Sequence, residues 1–139
     1  AYLLSLSRLR NKALKYLLYG SFARPPQMVV PQKEIDISKL SIYAGQDEKV
    51  TAFKKSYPTI YSGAWKAADG SVAITLASIQ EQPYACKFSL TASDYELKST
   101  GETYLLNEKG RSRIGNYTRG KINIDIQLES MGLAIIEII

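Results

Sequence analysis

The chain reads as a mainly β domain, an antiparallel β-sandwich of about eight to nine strands preceded by one amphipathic α-helix. Three observations predict this. From residue 34 onward the apolar residues recur with period two, the spacing of strands. Turn residues punctuate that pattern at short intervals. Ahead of it, "YLLSLSRLRNKALKYLLYG" carries apolar residues three and four apart, the spacing of a helix. With 139 residues, 45% hydrophobic and 22% charged, the composition is that of one globular domain able to bury its own core.

Leu6, Leu9, Ala13 and Leu17 mark one helical face, and the spacing predicts a helix over about residues 3–19. Arg8, Lys12 and Lys15 line another face. Gly20 supplies the stop, and Pro25 and Pro26 forbid continuation. Leu3, Leu4, Leu14 and Leu18 widen the apolar stripe beyond what a lone surface helix needs, so something must cover it. Residues 1–20 are therefore a helical unit and residues 21–33 an extended linker, held open by Pro25, Pro26 and Pro31. Residues 34–139 form the sandwich.

Within the sandwich, strands are expected at Glu34–Tyr43, Val50–Lys55, Thr59–Lys66, Ser71–Ile79, Pro83–Thr91, Thr103–Leu106, Arg111–Tyr117, Lys121–Leu128 and Leu133–Ile138. Three are especially regular. In "KINIDIQL", Ile122, Ile124, Ile126 and Leu128 face one way and Lys121, Asn123, Asp125 and Gln127 the other, as in a sheet wet on one side. Val72, Ile74 and Leu76 alternate with Ser71, Ala73 and Thr75, and Tyr84, Cys86, Phe88 and Leu90 make the third set. These three strands should form the centre of the core. "KAADG" between two of them is turn chemistry: Ala68 and Asp69 suit a type I turn and Gly70 the left-handed residue after it. That turn places Trp65 close to Val72, next to the face that Ile74 and Leu76 bury.

The residue inventory excludes much chemistry. There is no histidine and a single cysteine, which removes Ser-His and Cys-His nucleophile pairs, cysteine or histidine zinc sites and any disulfide framework. Cys86 shares its face with Tyr84, Phe88 and Leu90 and reads as a small core residue. No catalytic residue, metal site or cofactor is expected. No stretch reaches the length of a membrane span, so no membrane partner is expected. "DEKV" at Asp47 and Glu48 is too short for a calcium loop, and "NYT" at Asn116 matches a glycosylation sequon that chance often produces. Glu137, set among isoleucines, is expected to reach solvent or a positive partner.

A net charge of +5 raises polyanion binding, through Lys109, Arg111, Arg113, Arg119 and Lys121 with Tyr117 among them. No recognition helix, zinc finger or RNP signature accompanies these residues, so nucleic acid is the weaker expectation. Aromatic residues offer another surface, because their faces stack on sugar rings. Tyr61, Trp65 and Tyr117 are the candidate carbohydrate contacts, with Tyr57, Tyr95 and Tyr104 as further aromatic residues of strand and turn. Against this stands the ordinary preference of strands for aromatic side chains.

The order of segments carries a family resemblance. "LRNKALKYLLYGSFARPP", an extended link, "SYPTIYSGAWKAADGSVAITLASI", then "GKINIDIQLES" and "GLAIIEII" together resemble the C-terminal end of bacterial glycoside-hydrolase-like proteins. There the last helix of a (β/α)₈ barrel runs into an all-β accessory sandwich. The resemblance implies a non-catalytic accessory domain that stabilises the barrel, with the catalytic carboxylates lying in the barrel. It implies the barrel of the same parent chain as partner, with glycan a further one if the aromatic residues bind it; an extracellular or periplasmic parent is compatible with this, and the compartment of this part stays open. The chain starts without Met inside a helical pattern, which suggests a piece of a longer protein. In isolation the helix should fold back on the sandwich or pair with a second copy's helix.

Overall fold

The computed structural model describes residues 2–36 and 54–139. Among these residues, two helical pieces, α1 (Tyr2–Lys12) and α2 (Leu14–Leu17), precede ten strands: β1 (Ser21–Ala23), β2 (Gln32–Asp36), β3 (Lys54–Pro58), β4 (Ile60–Lys66), β5 (Val72–Ser78), β6 (Tyr84–Thr91), β7 (Gly101–Asn107), β8 (Gly110–Tyr117), β9 (Lys121–Leu128) and β10 (Leu133–Ile138). A 3₁₀ turn, Ala92–Tyr95, follows β6 and contains Asp94. The fold is mainly β and antiparallel throughout, as the periodicity predicts.

Six strands form one sheet in the order β1-β4-β5-β10-β7-β8; β6 pairs with β9, and β2 with β3. The large sheet and the β6–β9 pair face each other as a sandwich. Val72, Ile74 and Leu76 of β5 and Ala134, Ile136 and Ile138 of β10 share one buried cluster with Cys86, Phe88 and Leu90 of β6 and Ile122, Ile124, Ile126 and Leu128 of β9. Strict alternation produces this, since in antiparallel pairing the even positions of β6 and β9 meet, Cys86 opposite Ile126 and Phe88 opposite Ile124. The opposite face of β9 carries Lys121, Asn123, Asp125 and Gln127 into solvent.

The helix lies across the other face of the large sheet. Leu9, Ala13 and Tyr16 form a second buried cluster with Ala73 of β5, Leu106 of β7 and Ile135 of β10. The sheet is therefore covered on both sides, and Ala73 has no accessible surface although alternation alone would leave it wet. Here the helix overrides the strand pattern. The expected single helix is interrupted at Ala13, where Ala13 N–H donates to the Arg10 carbonyl at 3.0 Å. The helical run then closes at Gly20, whose N–H donates to the Tyr16 carbonyl at 3.0 Å. A Cβ at Gly20 would lie 2.8 Å from the Lys66 carbonyl oxygen, so only glycine lets the helix end sit against β4.

Three further sequence expectations change. The linker contains a strand: β1 pairs with β4, Phe22 opposite Trp65, because an extended segment beside a free sheet edge completes its hydrogen bonds there. The break expected between Lys55 and Thr59 is shorter and lies further along the chain. β3 runs on to Pro58, and Thr59 alone separates it from β4. Pro58 fits the end of a two-stranded ribbon, where no further ladder donor is required. The parts of the expected strands at residues 37–43 and 50–53, with Asp47 and Glu48, lie outside the described residues. Finally, Trp65 pairs with Ala73, so it points to the helix side, opposite Ile74 and Leu76. The turn itself is as expected, with Gly70 at φ 86°.

Candidate functional site

Two features meet on the helix side of the large sheet, a buried ionic cluster and an apolar groove. The cluster centres on Glu137 of β10, the one charged side chain that is buried among the described residues. Alternation along β10 turns Glu137 to the helix face with Ile135, while Ala134, Ile136 and Ile138 fill the sandwich. Tyr16 donates its hydroxyl proton to Glu137 Oε1 at 2.6 Å, and Arg111 Nε donates to Oε2 at 2.6 Å. Lys15 Nζ lies 3.2 Å from Oε1 and 3.1 Å from Asp69 Oδ2. Tyr16 Oη is also 2.9 Å from Ser71 Oγ, which bonds in turn to Asp69. The Arg111 guanidinium stacks 3.5 Å from the Tyr104 ring centroid.

The charges of this cluster reinforce one another. Burial alone would push the Glu137 carboxyl up, but the bonds from Tyr16, Arg111 and Lys15 outweigh it and hold it below the usual range. Burial, then the bond to Glu137, pushes the Tyr16 hydroxyl up to about 12. Asp69 is held down at about 2 by the Ser71 side chain and backbone and by Lys15. Lys15 is raised: burial works against its charge, and the bonds to Tyr16, Asp69 and Glu137 prevail. Glu137 thus meets positive partners, as its place in the sequence suggests. A carboxylate clamped this way stays ionised and donates no proton near neutral pH, so the cluster fastens helix to sheet.

The groove runs beside α1. It holds about 290 Å³ and is lined by Leu6, Leu9, Arg10 and Leu17 from the helix and by Tyr61, Gly63, Trp65, Leu133 and Ile135 from the sheet. Gly63 sits between Tyr61 and Trp65 at period two, so the floor between the two aromatic side chains is bare. A Cβ there would lie 2.8 Å from Thr75 Oγ1 and 3.5 Å from Trp65 Nε1. Trp65 is anchored by Phe22, ring edge to ring face, with centroids 5.1 Å apart at 89°.

Of the predicted carbohydrate contacts, the structure brings Tyr61 and Trp65 together on this groove and leaves Tyr117 out. Tyr117 is 4% exposed, packed in the sandwich core, and offers no ring face to a ligand. Its position at the end of β8 gave no sequence sign of this. The other aromatic residues are used locally: Tyr95 donates to the Arg24 carbonyl at 2.9 Å, and Tyr57 lies under Lys55. The groove walls are almost wholly apolar, so a sugar's hydroxyls would lose water there with little to replace it. The basic hairpin is partly neutralised as well. Arg111 is committed to Glu137, and Arg113 to Glu102 at 2.8 Å. Cys86 is buried, which pushes its thiol up to about 11.

Sequence reasoning missed the groove's Arg10 and the Tyr16–Glu137 bond. The only signal was helical spacing, which puts Leu9, Ala13 and Tyr16 on one face.

The sequence matches no protein family and no curated protein. Among solved structures it is similar to a proposed α-N-acetylgalactosaminidase of Bacillus halodurans, with TM-score 0.43 and 14% identity over 58% of this chain and 17% of that one. A GH27 β-L-arabinopyranosidase of Geobacillus stearothermophilus gives TM-score 0.42 and 12% identity, again over 58% of this chain and 17% of its own. α-Galactosidase I of Mortierella vinacea gives 0.41 and 15%, over 58% and 21%. These neighbours are glycoside hydrolases, and the matched part is about a fifth of their length or less.

Proposed function

We propose that this chain is the non-catalytic β-sandwich accessory domain of a glycoside hydrolase and that it stabilises the catalytic barrel of the same protein. The observation that carries the reading is the outer face of the helix. Its inner face is already filled by the sheet, yet Leu3, Leu4 and Leu18 remain 78%, 54% and 52% exposed. A helix apolar on both sides is built to lie between two bodies. The sequence resemblance supplies the second body, a (β/α)₈ barrel whose last helix this is. Glu137 supports a non-catalytic role, because its carboxylate is committed to Tyr16, Arg111 and Lys15.

The full reading frame around these residues tests the proposal. It should encode an upstream barrel with two carboxylates about 5 to 9.5 Å apart across a cleft. Replacing either should abolish glycoside hydrolysis, while Glu137→Gln leaves turnover within about twofold of wild type. A frame that encodes this domain without a barrel, or hydrolysis lost in a folded Glu137→Gln protein, contradicts it.

A further inference from the structure

We infer that the groove between α1 and the sheet is a binding site for a small aliphatic carboxylate, its chain along the apolar walls and its head on Arg10. The inference goes beyond the accessory role and does not depend on it, since Leu3, Leu4 and Leu18 take no part in the lining. Its shape is that of a ligand site: concave, small, mostly apolar, with a few polar groups that fix orientation. Leu6, Leu9, Leu17, Leu133 and Trp65 wall it, and the bare backbone at Gly63 deepens its floor. At about 290 Å³ it is suited to a short chain.

Charge selects the head group. Arg10 is the single charged residue of the lining, and no carboxylate lies there. Its guanidinium has no ion pair or hydrogen bond among the described residues, whereas Lys12 and Lys15 are both engaged, Lys12 with the Asn107 and Glu108 carbonyls. α1 itself contains no acidic residue. A guanidinium without an internal partner, on a residue that lines an apolar groove, favours an anion whose remainder is apolar, and its planar fork matches a carboxylate.

Trp65 is the only tryptophan and stands in the wall, so its emission reports occupancy directly. The test is titration of the whole chain with hexanoate, octanoate and decanoate below their micelle concentrations, with octanol and galactose as comparison solutes. The expected result is a saturable change in Trp65 emission whose affinity rises about fourfold per methylene. Octanoate should bind more tightly than octanol, and Arg10→Gln should remove that difference. Leu6→Ser, on a half-exposed groove residue, should weaken binding several-fold, while Leu4→Ser on the outer helix face leaves it unchanged. No saturable response, a response indifferent to chain length, or equal octanoate and octanol binding by wild type overturns the proposal. So does a response to galactose alone. A shift caused by vesicles of phosphatidylcholine with 30% phosphatidylglycerol but not by octanoate also overturns it, because the face would then be a lipid surface.

Discussion

The two faces of the six-stranded sheet are buried by different means. Toward β6 and β9 the contact is made by aliphatic side chains in alternation, with Ile74, Ile122 and Ile136 entirely inaccessible. Toward the helix the apolar contact is smaller, and a buried carboxylate with three partners from the helix and β8 lies within it. The first interface rests on burial of apolar surface, which is non-directional. The second is directional, because Glu137 accepts its bonds only when α2 and β8 are both in place. The sandwich thus supplies the bulk of the stability and the ionic cluster fixes where the helix lies.

The largest expected effect comes from the aliphatic side. Ile74→Ala should cost about 2–5 kcal/mol, read from urea midpoints at unchanged slope, because close-packed surroundings collapse only in part. Glu137→Gln should cost less, about 1–3 kcal/mol, since Lys15 and Arg111 are half exposed and regain water. Its signature is selective, with hydrogen exchange rising in α1 and α2 before the strands of the sandwich. A loss as large as that of Ile74→Ala, spread evenly over the chain, would erase the distinction between the faces.

Acid provides a finer test of the same contrast. Glu137 and Asp69 bind their protons more weakly when folded than when unfolded, the latter with a folded value of about 2. The stability they contribute is therefore complete above the unfolded carboxylate values of about 4 and is lost as pH falls toward the folded ones. Stability should decline from about pH 5 to about pH 2, and Glu137→Gln should decline less steeply. The smallest effect belongs to the wet face of the β6–β9 pair. Lys87→Ala breaks an exposed ion pair with Asp125 and should change stability by less than about 1 kcal/mol.

The same contrast explains what could be read in the sequence. β5, β6, β9 and β10 were legible to within a residue or two, because a one-residue slip would turn every isoleucine outward. The turn at Gly70 was legible because its backbone needs φ above zero. β1 was not, since "SFA" is too short for a period and gains its strand identity only from the edge of β4. The side of Trp65 was misread because Ala73, its partner, looks like a polar-face residue until the helix covers it. Tyr61 and Trp65 were legible as a pair by shared parity, whereas Arg10 and Tyr16 acquire their roles only from residues far along the chain, at 61–65 and at 137.

The proposed place of the helix, between the sandwich and a barrel, is tested most directly by thermal unfolding of the full-length protein. Leu3, Leu4 and Leu18 point away from the sheet, so replacing all three with serine should leave the sandwich intact and lower the barrel's Tm by several degrees, at about 2–4 °C per kcal/mol for a large domain. A full-length protein whose barrel melts unchanged after that replacement would contradict the claim.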